Sequence, residues 1–149
     1  MVGIEEAVLQ DSERLCELLR ILFEQESEFS PDTKKQRKGL EMILSNPSIG
    51  SIFVLKKEGY IIGMVSLLFT VSTALGEKVA WLEDMVIDPL FQGQGYGKML
   101  LREVLQRAKL LTCKRISLKT DASNGRAQKM YKELGFEDST MKVMFCFTS

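Results

Sequence analysis

The segment from Trp81 to Lys98 carries the residues whose types and spacing best support chemistry. Two adjacent acids, Glu83 and Asp84, interrupt an apolar run, and the loop Gly93–Gly97 then places three glycines in five residues. A carboxylate on a central strand is a candidate general base. A glycine-rich turn presents backbone N–H groups, and together with the N-terminal end of a following helix it can hold a phosphate. The segment predicts proton transfer beside a ligand that carries phosphate.

The rest of the composition narrows the chemistry. The chain has 149 residues and no histidine, which excludes histidine-based triads, histidine-ligated zinc and imidazole acid–base catalysis. Its three cysteines, Cys16, Cys113 and Cys146, are odd in number, far apart and without a Cys-x-x-Cys pair. That spacing is not typical of a disulfide framework or a metal site. We therefore predict reduced cysteines and no metal.

The spacing of the glycine loop excludes two common phosphate motifs. A P-loop needs a glycine where Gln92 stands and a hydroxyl where Met99 stands. A dinucleotide fingerprint needs its third glycine where Lys98 stands, and it also needs an acid about twenty positions later, which 111–115 lacks. What remains is the spacing Gln92-x-x-Gly95-x-Gly97.

That spacing resembles the (Arg/Gln)-x-x-Gly-x-(Gly/Ala) acyl-CoA loop of the GNAT acetyltransferase superfamily. The later segment Asn124-x-x-Ala127-x-x-x-Tyr131-x-x-x-Gly135-Phe136 resembles a second motif of the same superfamily. With the opening strand and helix, the resemblance covers nearly the whole chain in the right order. Within the superfamily, Leu82-Glu83-Asp84 before the loop is most similar to the diamine (spermidine/spermine-type) acetyltransferases.

The resemblance implies where acetyl-CoA would bind. The backbone of the strand would hydrogen-bond to the pantetheine arm, which would lie beside it like an extra strand, and the far side of the arm would be lined by Asn124 and Ala127. The loop would cradle the pyrophosphate. The strand and loop positions implied are Met85, Val86, Ile87, Gln92, Gly93, Gln94, Gly95, Tyr96, Gly97 and Lys98.

The resemblance also implies the catalytic residues. Glu83 would be the general base, directly or through water, with Asp84 as the second candidate, and Tyr131 would protonate the departing thiolate. An amine must lose a proton to attack a thioester, and a developing oxyanion needs a donor such as the backbone N–H of Met85. Other interpretations stay open: Tyr131 as a core residue, Asn124 as a helix cap, and a strand bulge that changes which acid faces the site.

These residues need a scaffold of strands and helices to position them. Apolar patterning and turn residues predict the order β-α-α-β-β-β-α-β-α-β-β, an α/β (α+β) fold in one domain, 1–149. Together with the resemblance, this implies a mixed, mostly antiparallel central sheet of about six to seven strands flanked by four helices. The strands are expected at 4–7, 52–56, 60–71, 79–87, 115–120, 136–137 and 141–148. The first helix is expected from a cap at Asp11 or Ser12 through the apolar stripe that runs to Phe23, and the others near 31–46, 95–111 and 124–134.

Charge is balanced overall but divided along the chain. Residues 1–90 carry nine basic and fifteen acidic residues, a net charge of −6, whereas residues 91–149 carry eleven and five, a net charge of +6. Zero net charge argues against nucleic acid as a partner. The N-terminus lacks signal-peptide features and the apolar stretch near 61–71 is too short to span a bilayer, so we expect a cytoplasmic protein with no membrane partner.

The predicted function follows from these features together. We expect transfer of an acetyl group from acetyl-CoA to a primary amine of a small, cationic acceptor, by direct attack in a ternary complex. The alternatives are an acetyltransferase for a protein or peptide amino group, and a non-catalytic domain that binds acyl-CoA as a sensor. The apolar segment Met141–Phe147 suits an edge strand that pairs with a second copy, so a homodimer is also expected.

Overall fold

The computed structural model describes residues 1–26 and 30–149, which form two compact units, Met1–Leu118 and Lys119–Ser149. The first unit holds a sheet with helices on it, and the second holds one helix. The elements are β1 (Val2–Glu6), α1 (Ser12–Gln25), α2 (Thr33–Leu44), β2 (Gly50–Lys57), β3 (Tyr60–Ser72), β4 (Glu77–Ile87), α3 (Tyr96–Leu110), β5 (Ile116–Leu118) and α4 (Gly125–Glu133).

The strands form one mixed sheet in the order β1-β2-β3-β4-β5. The first three pairings are antiparallel, and the last, between β4 and β5, is parallel. The β2–β3 hairpin turns at Glu58 and Gly59, both with positive φ, which is the two-residue turn that suits the twist of paired strands. The mixed, mostly antiparallel sheet and the four helices are as the sequence predicted.

The predicted count of six to seven strands is wrong, because the described residues form five. The two segments expected as final strands, 136–137 and 141–148, are not strands in the structure. The backbone N–H of Phe136 instead bonds to the Tyr131 carbonyl at 3.0 Å and closes the end of α4. Apolar, β-branched composition gives a segment strand propensity only, and residues 137–149 are exposed, with none of the burial that sheet packing provides.

The helices cover both faces of the sheet. α1 and α2 bury Leu15, Leu18, Leu19 and Leu40 against a cluster that includes Ile52, Val54, Met64 and Val86. The alternate residues of the same strands, such as Phe53, Val65 and Leu67, are fully buried on the other side, where α3 packs with Leu100, Leu101 and Val104. Strands buried on both faces hold their backbones rigidly, and β3 and β4 are the strands that carry the candidate site.

α2 begins later than the sequence predicted. The helix was expected from about residue 31, which is a proline, but it begins at Thr33. The Asp32 carboxylate caps it by accepting hydrogen bonds from the amides of Lys34 and Lys35 at 3.1 and 3.2 Å. An aspartate at this position satisfies amides that a helix leaves without a backbone partner, so the cap, and not the proline, sets the boundary.

Candidate active site

A β-bulge in β4 decides which of the two adjacent acids shares a face with α1 and α2. Met64 of β3 pairs with Val86, but Ser66 pairs with Glu83, so two residues of β4 oppose one residue of β3. Asp84 lies in the bulge with a φ of 55°. Simple alternation would put Glu83 and Val86 on opposite faces. The extra residue puts both on the face covered by α1 and α2, where Val86 belongs to the buried cluster.

The second half of β4 has a free outer edge within the first unit. β5 pairs only with Ala80, Trp81 and Leu82, and the last pair joins Leu82 to Leu118. Beyond that pair, no strand among the described residues of this unit, 1–26 and 30–118, lies along the β5 side of 83–87. A free strand edge offers backbone N–H and C=O groups to an extended ligand. Met85, Val86 and Ile87, the residues for which the resemblance implies binding of the pantetheine arm, all lie on this stretch.

The glycine loop connects this strand directly to the N-terminus of α3. Gly93 and Gly95 have φ values of 79° and 85°, a region that glycine enters without strain, and Gly95 is the N-cap of the helix. The first hydrogen bond of the helix runs from the Met99 amide to the Gly95 carbonyl at 3.1 Å. The amides of Tyr96 and Gly97 precede it and are among those an α-helix leaves without an intrahelical acceptor. The geometry fits an anionic group such as a pyrophosphate.

The Gln92 side chain has a structural role in this loop. Its amide Nε2 donates a 2.9 Å hydrogen bond to the Ile87 carbonyl and ties the loop to the end of β4. Gln94 is exposed beside it, and Lys98 is half-buried in the first turn of α3. Gln92 was predicted to bind the cofactor. In this structure its side chain ties the loop to β4, and Gly93 and Gly95 beside it are exposed.

Asp88, at the junction of β4 and the loop, follows the strand predicted at 79–87 and was not among the predicted site residues. Its carboxylate accepts from the Leu90 amide at 3.0 Å and from the Arg14 guanidinium at 2.6 Å. Burial raises the pKa of Asp88, but the Leu90 amide and Arg14 outweigh it, so the pKa lies below its ordinary value. Arg14 also donates to the Ile61 carbonyl at 2.9 Å, which links α1, β3 and the loop. The Asp88-Pro89 pair was the available signal, since aspartate before proline is typical of a cap.

Lys57, at the end of β2, adds positive charge beside the loop. Its ammonium nitrogen lies 5.5 Å from the ring centroids of both Phe91 and Tyr96, the aromatic residues on either side of the glycine segment. Lys57 lies between the strands predicted at 52–56 and 60–71, and it was not among the predicted site residues. The contact joins residues that are more than thirty positions apart, and no local pattern indicates it.

The second unit holds the other predicted residues. Asn124 caps α4, its side-chain oxygen accepting a 3.1 Å hydrogen bond from the Ala127 amide, so the structure brings these two together. Tyr131 is half-buried, and its ring meets that of Phe136 edge-to-face with centroids 5.8 Å apart. Glu83 lies in the first unit and Tyr131 in the second. Their joint action in one site therefore stays a prediction.

No group of three or more histidine, cysteine, aspartate or glutamate side chains in 1–26 and 30–149 is arranged to hold a metal ion. Within the same residues, none of the helices combines the length and the apolar character that a bilayer crossing requires.

A family model matches most of the chain, and individual relatives match shorter parts of it. Residues 13–136 match the model described as the acetyltransferase (GNAT) family. The chain is 40% identical over 58 residues to the spermine/spermidine N(1)-acetyltransferase of Bacillus subtilis strain 168, which is 38% of each chain. It is 35% identical over 63 residues to the ribosomal protein bS18-alanine N-acetyltransferase of Haemophilus ducreyi, which is 42% of this chain and 43% of that relative. The chain thus matches about two fifths of the length of these curated relatives.

Solved structures share the fold over nearly the full length. A predicted acetyltransferase from Clostridium acetobutylicum, whose structure was determined with acetyl-CoA, superimposes with a TM-score of 0.80. The match covers 98% of this chain and 96% of that one at 18% sequence identity. At 18% identity, this similarity shows that the two chains share a fold.

Proposed function

Because the chain belongs to the acetyltransferase (GNAT) family and is an acyltransferase of the N-acetyltransferase type, we propose that it transfers the acetyl group of acetyl-CoA directly to a primary amine of a small, cationic acceptor. The proposal treats 1–149 as one catalytic domain. It also assigns a role to each candidate residue described above.

The observation that carries the proposal is the continuity of the free edge of β4 with the glycine loop. An extended ligand on the backbone of Met85, Val86 and Ile87 leads along the strand to the amides at the N-terminus of α3. Acetyl-CoA has this shape and charge order, with a thioester, a pantetheine arm that can bond to a strand edge, and an anionic pyrophosphate. Gly93 to Lys98 would hold the pyrophosphate, with Lys57 nearby as an additional cation.

The bulge supports Glu83 over Asp84 as the general base. Glu83 lies on the face of the sheet that α1 and α2 cover, while Asp84 occupies the bulge. Glu83 would take one proton from the acceptor ammonium, and the freed amine would then attack the thioester carbonyl carbon. The Met85 amide would donate to the developing oxyanion. Tyr131 would give its proton to the departing sulfur as the carbon–sulfur bond breaks, and the second proton of the attacking nitrogen would pass to the Tyr131 phenolate. This leaves an N-acetylated amine, free CoA and a restored Tyr131 hydroxyl.

The charge pattern supports a cationic acceptor. The half of the chain before the loop carries a net charge of −6 and includes exposed acids on α1, such as Glu13 and Glu17. An amine is protonated at neutral pH, so an acidic approach raises its local concentration. The relative from Bacillus subtilis is named for spermine and spermidine, which are polycations. A polyamine is therefore the first candidate acceptor.

A protein amino group is the second candidate acceptor. The relative from Haemophilus ducreyi is named for an alanine of a ribosomal protein, and it matches this chain over a segment of similar length. A third candidate function, binding of acyl-CoA without catalysis, would need no general base. Glu83 on the helix-covered face argues against it.

Two measurements test the proposal. Thermal unfolding with and without acetyl-CoA should show a higher Tm with the ligand, because a ligand that binds only the folded state stabilises it. Release of the CoA thiol should then be followed with spermidine, a peptide with an N-terminal alanine, and an anionic amino sugar phosphate. Fastest release with spermidine supports the proposal. A Tm shift without thiol release from any amine supports the binding domain instead, and the absence of a Tm shift contradicts the cofactor assignment.

A further inference from the structure

Ser66 of β3 has a buried hydroxyl that no described residue engages. The residue is 0% exposed, and its Oγ atom has no hydrogen-bond partner within 1–26 and 30–149. Such a hydroxyl lowers the stability of the folded protein, because it has lost its hydrogen bonds to water and has gained none in return. Gln36 of α2 is the other described residue whose side chain has buried polar atoms without a hydrogen-bond partner. Ser66 differs from it in lying on the strand pair that carries Glu83.

The register places Ser66 directly beside Glu83. The two are Cα partners across β3 and β4, next to the bulge, so their side chains leave the sheet on the same face. Ser66 is also the partner of Ile52, which belongs to the cluster under α1 and α2. The next pair, Leu67 and Leu82, points to the opposite face. Ser66 is thus the polar neighbour of Glu83 on the adjacent inner strand.

We propose that Ser66 is a positioning residue for Glu83: its hydroxyl, which is unbonded among the described residues of this structure, donates a hydrogen bond to the Glu83 carboxylate when the acceptor amine is bound and orients that carboxylate towards the amine. Partners of this kind have Cα atoms about 4.5–5.5 Å apart, and the flexible glutamate side chain can bring its carboxylate to a hydroxyl at that separation. The hydroxyl is an O–H donor and the carboxylate an acceptor, so the two groups are complementary. The inference rests on the proposed function, since it needs Glu83 to be the base.

The test variant is Ser66→Ala, which removes only the orphaned oxygen. If the hydroxyl acts on Glu83, kcat should fall by about ten- to a hundredfold, the range expected for losing a hydrogen bond to a charged group. KM for acetyl-CoA should be unchanged. The Tm measured without acceptor should stay equal or rise, because in that state the buried hydroxyl has no hydrogen-bond partner among the described residues. A residue that only packs the sheet would not lower kcat while preserving the Tm.

Ser72→Ala is the matched control on the same strand. Ser72 is also buried, but its Oγ accepts from the Leu75 amide at 3.2 Å, and its partner across the sheet is Glu77 at the far end of β4. This variant should lose stability and keep kcat. Ser66→Ala is thus expected to lower kcat without lowering the Tm, and Ser72→Ala to lower the Tm without lowering kcat. This contrast separates an effect on Glu83 from a general effect of removing a serine from the strand.

The deciding experiment is the double variant Ser66→Ala with Glu83→Gln. If Ser66 acts through Glu83, the double variant should have the kcat of Glu83→Gln alone. The inference would be overturned if Ser66→Ala lowered the kcat of Glu83→Gln by the same factor by which it lowers the wild-type kcat. It would also be overturned if Ser66→Ala alone kept kcat within twofold of the wild-type value. If Glu83→Gln itself keeps the wild-type kcat, both the base assignment and this inference fail. If Glu83→Gln loses activity and Ser66→Ala does not, only the inference about Ser66 fails.

Discussion

The guanidinium of Arg14 on α1 donates a 2.6 Å hydrogen bond to the carboxylate of Asp88, where β4 enters the glycine loop. Their side chains are only 16% and 11% exposed. The same guanidinium lies 4.5 Å from the ring centroid of Tyr60. This ion pair therefore joins α1, which lies on the proposed acceptor side of the sheet, to the start of the loop that is proposed to bind the pyrophosphate.

Replacing Asp88 tests how much this junction stabilises the fold. Asp88→Asn removes the charge that Arg14 needs and should lower the free energy of unfolding by about 1–3 kcal/mol, measured by urea denaturation. The control is Glu24→Gln in the Arg20–Glu24 pair of α1, whose side chains are 68% and 55% exposed. That variant should change the free energy by less than about 1 kcal/mol. Equal effects in the two variants would contradict a special role for Asp88.

The pH dependence of the same difference follows from the lowered pKa of Asp88. A carboxyl whose pKa is lower in the folded state stabilises the fold above the unfolded value of about 3.9, and this contribution is lost as the pH falls through the folded pKa. The stability gap between the wild type and Asp88→Asn should hold from neutral pH to about 5 and narrow below about 4. Urea denaturation at a series of pH values measures it, and a gap that widens on acidification would refute the assignment.

Gly95 tests the proposed pyrophosphate loop. A Cβ at this position meets no atom within 4 Å, so Gly95→Ala should fold despite the strain of a φ of 85°, which is about 1–2 kcal/mol. The added methyl projects into the space that a bound pyrophosphate needs, and the Tm shift with acetyl-CoA should disappear. Gly76→Ala is the control, since Gly76 also has a positive φ and open space but lies in the β3–β4 turn. A Tm shift kept in Gly95→Ala and lost in Gly76→Ala would exclude the loop as the binding site.

Tyr131 tests the proposed proton donor. Tyr131→Phe keeps the ring that packs against Phe136 and removes only the hydroxyl. We expect kcat to fall by about 10²–10⁴-fold while the acetyl-CoA affinity stays the same. Tyr60→Phe is the matched control, because Tyr60 lies at the start of β3 under Arg14 and has no proposed chemical role. An unchanged kcat in Tyr131→Phe would leave Tyr131 with a packing role.

Salt tests the charge of the acceptor. If the acidic half of the chain attracts a polycation, the KM for spermidine should rise as the salt concentration increases, because counterions screen that attraction. The KM of a monoamine that carries no other charged group should rise less over the same range of salt concentration. Steady-state thiol release at a fixed, saturating acetyl-CoA concentration gives both values. A spermidine KM that does not respond to salt would argue for an acceptor selected by shape.

The amino-acid sequence alone determined the local features of the site. The spacing Gln92-x-x-Gly95-x-Gly97 singled out the loop as a candidate, and in the structure Gly95 has the positive φ that glycine adopts without strain. Helix stripes and caps likewise predicted α1, α3 and α4, since capping and amphipathic periodicity act within a few residues. Glu83 and Asp84 were recognised as candidates because two adjacent acids interrupt an apolar strand, which is also a local feature of the sequence.

Only the tertiary structure decided how these parts meet. Whether Glu83 or Asp84 shares the face of α1 and α2 depends on a bulge, and a bulge is set by pairing with β3, not by the local sequence of β4. The Arg14–Asp88 pair and the contact of Lys57 with two rings join residues far apart in the chain, and the orphaned hydroxyl of Ser66 exists only because two packed faces exclude water from it. The strands expected after α4 failed for the converse reason. Strand propensity is local, but a strand forms only where a neighbour supplies its hydrogen bonds.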